Sequence, residues 1–131
     1  MELLKKFDKI NYYLATNDFS GLSRAFKKTS EDNKQSVFMS YVVPDSVKLK
    51  LAKAHPDYAD MLFYPDQLSD SLVRAIYEDQ DLMKSVDIRE QLASREEAPM
   101  EILQALAKDK SYDVRETARD TIEIKRESTT R

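Results

Sequence analysis

A single glycine, Gly21, serves all 131 residues, where ordinary usage is about 7%. Phosphate-cradling loops, dinucleotide fingerprints and two-residue hairpin turns need glycine for positive φ or for close backbone approach. None of them can be written here. The scarcity also removes the commonest residue that follows a helix C-terminus, so helices must end on Asn, Lys or Asp, or run into proline. The expected fold class is all-α.

What remains is a chain of one domain's length, 41% hydrophobic and 34% charged, far from the disordered class. It has no cysteine, which excludes disulfides, thiolate metal sites, iron–sulfur clusters and cysteine nucleophiles. The start, "MELLKKFDKI", meets charge after two leucines and predicts no secretory signal, and no apolar run approaches a membrane span. A cytoplasmic location is the expectation. Net charge is −3 and unevenly placed. Residues 1–42 carry seven Lys/Arg against five Asp/Glu, whereas 57–97 carry four against eleven. An acidic surface of that kind repels phosphate backbones.

The first 42 residues predict three helices forming an N-terminal cap. Leu3, Phe7, Ile10 and Leu14 draw one apolar stripe, Asn17 or Asp18 caps a helix carrying Phe19, Leu22 and Phe26, and Ser30 caps a third ending on Val37, Phe38, Tyr41 and Val42. From residue 43 to 122 another pattern takes over. "PDSVKLKLAK" (44–53), "PDQLSDSLVR" (65–74) and "PMEILQALAK" (99–108) share proline, an aliphatic residue three places on, and leucine four beyond that. Proline pre-sets φ at the first helical position. The 4-residue step then stacks Val47 on Leu51, Leu68 on Leu72 and Ile102 on Leu106.

Between and after the last two templates, "DIREQLAS" (87–94) and "DVRETARD" (113–120) repeat Asp, a β-branched residue, Arg and Glu at an interval of 26 residues. The pattern predicts partner helices capped by Asp87 and Asp113, with Ile88 and Val114 opening their buried stripes. Each unit is then a helical hairpin that must stack on a neighbour to bury its apolar face. The longer second unit predicts an extra helical turn around "YEDQDLMKS", and the polar tail 123–131 is expected to fray.

Ile88-Arg89, Leu92-Ala93, Pro99, Ile102-Leu103, Leu106-Ala107, Asp109 and Val114-Arg115 match, position by position, a pattern that resembles the leucine-rich repeat variant and, more broadly, HEAT-like α-solenoids. The resemblance is good over 86–120, looser over 44–85 and absent before 43. It implies a short right-handed superhelical stack that binds other macromolecules without a cofactor. The cysteine cluster found beside that family's repeats has no counterpart here. HEAT-like DNA glycosylases are similar in architecture but rely on a basic groove with aromatic side chains, and this chain has no Trp.

The expected function is a non-enzymatic protein-binding module. Its expected interaction surface is Arg74, Arg89, Arg115, Glu90, Glu116 and Tyr77, with Arg89 and Arg115 repeating one repeat apart. They either contact a partner or pair with carboxylates of their own repeats, such as Asp87 or Asp113. The alternatives are nucleic-acid binding through Lys5, Lys6, Lys9, Lys27 and Lys28 or an Arg ladder, and an acidic mimic using 57–97. A homodimer through the last repeat is a further expectation, which a strict monomer in light scattering would remove. His55, the only histidine, has Asp57 and Asp60 nearby in sequence and reads as an exposed helix-end residue rather than a base or ligand. Glu78, Asp79 and Asp81 lack the glycine turn of a calcium loop and read as a solvated turn. Tyr58, Phe63, Tyr64 and Tyr77 read as interface or as filling between uneven repeats. No nucleophile–base pair is evident.

Overall fold

The computed structural model describes residues 12–13, 15–40 and 43–129. Among them every regular element is helical and no strand occurs. The stripe over Leu3–Leu14, the lysines at 5, 6 and 9, and Tyr41 and Val42 lie outside the described residues. The chain divides into two compact units, one through Pro65 and one from Asp66.

The first unit holds α1 (Phe19–Lys28), α2 (Glu31–Met39), α3 (Asp45–Ala54) and a 3-10 helix (Pro56–Phe63). Asp18 caps α1 by accepting from the Gly21 amide at 3.0 Å, and Ser30 caps α2 by accepting from Asn33 at 3.2 Å. Short polar oxygens at these positions satisfy amides that have no partner inside the helix. Gly21 is required by close approach, since a Cβ there would lie 2.3 Å from the Tyr13 ring. The 3-10 helix packs on α3 and α2, and α1 packs on α3. Leu22, Phe26, Val37, Phe38, Leu51, Met61 and Leu62 are buried between them. The 44–53 template, expected to open the repeats, thus packs with the helices of the expected cap.

The second unit holds α4 (Asp70–Glu78), a 3-10 turn (Leu82–Lys84), α5 (Val86–Ala93), α6 (Met100–Leu106) and α7 (Tyr112–Thr129). The 3-10 turn is the extra turn expected around "YEDQDLMKS". It packs on α4 and α5, while α7 packs against both α5 and α6. Leu72, Val73, Ile76, Leu92, Leu103, Val114 and Ala118 form the buried interior.

Four local expectations are corrected. Pro65 does not open a helix: α4 starts at Asp70 because Ser69 accepts from Leu72 at 3.1 Å, a cap bond that proline lacks. Leu68 is buried ahead of that helix, its amide held by the Glu97 carboxylate at 2.8 Å. Pro44 and Pro99 sit one place before the first helical residue, their carbonyls accepting from Val47 and Lys48, and from Ile102 and Leu103. Asp87 is not a cap. Ser85 caps α5 by accepting from Ile88 at 3.3 Å, and Asp87 lies in the first turn, as Asp113 does in α7. Finally, α7 continues to Thr129, so residues 123–129 are helical rather than frayed. The segment has no Gly or Pro, and Lys125 anchors it by donating to the Ala98 carbonyl.

Candidate functional site

Two places gather functional groups, one in each unit. In the second unit, an aspartate follows each of α4 and α6. Asp79 donates its amide to Ile76, and Asp109 donates its amide to Leu106. Each aspartate then turns its carboxylate onto the following turn, accepting from Leu82 at 3.1 Å and from Ser111 at 2.8 Å. Short Asx turns of this kind suit aspartate.

The next helix starts alike in both copies. Arg89 Nη1 donates to the carbonyls of Met83 (2.7 Å) and Lys84 (3.2 Å), six and five residues back. Arg115 Nη1 donates to Asp109 (2.9 Å) and Lys110 (3.1 Å), at the same two offsets. Each guanidinium therefore clamps the turn that delivers its own helix. The copies also meet, because Arg89 Nε lies 2.9 Å from the Asp109 carboxylate. Asp109 receives Arg89 on its side chain and Arg115 on its backbone. The Arg89 angle to that carboxylate is poor for a hydrogen bond and Nη2 lacks a protein partner, so the contact acts as a charge pair at short range. Side chains of Arg89 and Asp109 are only 8% and 11% exposed.

The two arginines are thus brought together, but by Asp109 rather than by Asp87 or Asp113; Arg89 is buried and Arg115 half-buried. Arg74 is exposed on α4 and pairs with Asp70 and with Glu101 of α6, each at 2.8 Å. Hydrogen bonds to Asp70 and then Glu101 hold its pKa above that of a free guanidinium. Glu116 pairs with Arg119 at 3.1 Å. Glu90 and Tyr77 are half-buried on α5 and α4.

What faces outward is a pair: Tyr112, one of several tyrosines that the sequence left free for an interface, and Val86, to which no signal pointed. Val86 and Tyr112, each the first residue of its helix, are 43% and 65% exposed. They stand 26 residues apart in the sequence, and the exposed Asp87 and Asp113 follow them. Elsewhere in this unit, Arg95 and Glu97 tie the α5–α6 turn to residues 66–68. Arg95 bonds both oxygens of Glu97 and the Asp66 carbonyl, and Glu97 holds Leu68. Burial raises the Glu97 pKa, but the amide and guanidinium bonds outweigh it and the net shift is downward. A polar cleft of about 290 Å³ opens beside this tie.

In the first unit, His55 follows the end of α3, and its Nε2 lies 2.9 Å from the Ser23 hydroxyl of α1. A serine hydroxyl and an imidazole are therefore in hydrogen-bond contact, a pairing to which the sequence does not point. The ring is half-buried and rests on Phe26, with centroids 5.1 Å apart. Burial lowers the His55 pKa, a hydrogen bond to the Ser23 backbone opposes this, and the charges of Lys27 and Lys34 lower it again. Lys34 is buried, donating to the Thr29 carbonyl at 2.7 Å, with its ammonium 5.0 Å from the Tyr58 ring centre. Asp57 and Asp60 stay exposed. No signal in the sequence joins Ser23 to His55, which are 32 residues apart.

Among the described residues no group of three His, Asp or Glu stands ready to hold a metal, and no helix is long and apolar enough to cross a membrane. The acidic run at 78–81 is engaged in local contacts, Asp79 with Leu82 and Asp81 with Lys84. No family model, curated protein or solved structure matches the chain, and the resemblance to helical repeats stands on its residues alone.

Proposed function

We propose that the protein is a non-enzymatic binding module whose second unit stacks two helical hairpins, α4–α5 and α6–α7, and offers their repeated helix starts to a protein partner. The position of α7 against both α5 and α6 supports the stack, as does the Arg89–Asp109 pair joining one turn to the next. A short right-handed solenoid of the HEAT-like kind is the arrangement this reading adopts. Val86 and Tyr112 carry the argument. Large apolar groups left open at the same place in successive repeats cost hydration in the free protein, and aromatic side chains are enriched where partners dock. The arginines expected to reach a partner instead fix the geometry of these starts, and the exposed residues take over the contact role.

The experiment compares the wild-type chain with a Val86→Ser, Tyr112→Ser double variant as bait, after nuclease treatment, with bound proteins quantified by mass spectrometry. A specific protein enriched by the wild type and lost from the variant, at unchanged helix content, is the expected result. Identical recoveries from both baits would contradict the proposal, as would material that nuclease removes.

A further inference from the structure

We propose that Ser23 is a covalent acyl acceptor with His55 as its general base. The proposal stands apart from the binding role of the second unit. It rests on the geometry of the first unit: a hydroxyl on the middle of α1, an imidazole fixed at the end of α3, and 2.9 Å between Oγ and Nε2. That is the separation at which a base takes a proton from the group it activates. The imidazole rests against the Phe26 ring, with the planes tilted by 41°.

The surroundings favour this chemistry. Ser23 and His55 are each half-buried, so an acyl group can approach from solvent. Lys27 lies one helical turn beyond Ser23 on the same face, and the Lys34 ammonium is held close by on the Phe26 and Tyr58 rings. Two cations beside the imidazole keep it neutral and able to accept.

In the tautomer protonated at Nδ1, Nε2 accepts the Ser23 hydroxyl proton as Oγ bonds to the acyl carbon. The bond from that carbon to the leaving oxygen or sulfur breaks, and the imidazolium returns the proton to the leaving group. One ester or thioester and one hydroxyl give one acyl-serine and one alcohol or thiol, with no change of oxidation state. The cationic surroundings select an activated ester or thioester with an anionic leaving or head group.

The test treats the full chain with p-nitrophenyl acetate, locating acetyl groups by peptide mass mapping and following nitrophenolate release against pH. One acetyl group at Ser23 is expected, absent from Ser23→Ala and formed at least about a hundredfold more slowly in His55→Gln, the scale of general-base assistance. Because His55→Gln also disturbs the Phe26 contact, the wild-type pH profile is a second readout. Labelling of Ser23 should level off once His55 is neutral, at a lower pH than an unperturbed histidine would require. Adducts confined to lysines would overturn the proposal. So would a Ser23 rate that keeps climbing toward the lysine range near pH 10, or equal Ser23 labelling in His55→Gln.

Discussion

Arg89 and Arg115 make the same two bonds to the chain behind them, yet their energies differ. Arg89 is buried and faces a carboxylate that is itself nearly buried. Removing it strands Asp109 and two carbonyls, and breaking a buried pair from one side costs about 3–5 kcal/mol. Arg115 is half-buried and bonds neutral carbonyls beside the open Tyr112 ring, so its loss should cost about 1 kcal/mol. Urea unfolding of Arg89→Ala and Arg115→Ala checks this order. At the same scale, His55 sets an acid limit on the first unit. Its pKa is lowered in the folded chain, so the unfolded chain binds the proton more readily. Stability is then complete above the unfolded value near 6.5 and declines as pH falls from there toward the folded value. His55→Gln should flatten that decline, read as the shift of the urea midpoint between pH 7 and pH 5.

At the scale of elements, the helix starts show which parts of the sequence were legible. The 26-residue repeat, its buried Ile88 and Val114 and its matched arginines were all readable from residue types and spacing. Capping was misplaced by two residues. "KSVDIRE" and "KSYDVRE" carry the serine that begins each start, and both Ser and Asp are good caps, so composition alone could not choose. The structure settles on Ser85 because its oxygen reaches the Ile88 amide, leaving Asp87 in the first turn beside the helix dipole. Ser85→Ala should therefore lose about 1 kcal/mol, and Asp87→Ala only about 0.3–1 kcal/mol, an effect that salt screens. Thermal melts at low and high salt separate the two. The Pro65 template failed for a related reason: Ser69 offers a real cap four residues later. The length of α7 is not legible in its end, which is polar, because Glu, Lys and Arg extend a helix without an apolar stripe.

At the scale of the molecule, glycine scarcity and apolar spacing were enough to establish an all-helical chain, and the described residues contain no strand. The partition was not legible in the same way. Residues 44–63 look like a repeat by spacing but pack with α1 and α2, because Phe26 draws Phe38, His55 and Tyr58 around one ring, and no local pattern encodes that. The Ser23–His55 pair was hidden for the same reason, being a product of packing between distant helices. In the second unit, Arg89 and Asp109 tie the turn before α5 to the turn before α7. A double-mutant cycle with Arg89→Met, Asp109→Asn and the pair, measured by urea unfolding, tests this tie most directly. Contacting charged groups in this setting should couple by about 0.5–3 kcal/mol. A coupling below about 0.5 kcal/mol, the level of independent sites, would mean that the two turns do not meet and would contradict the stacked arrangement.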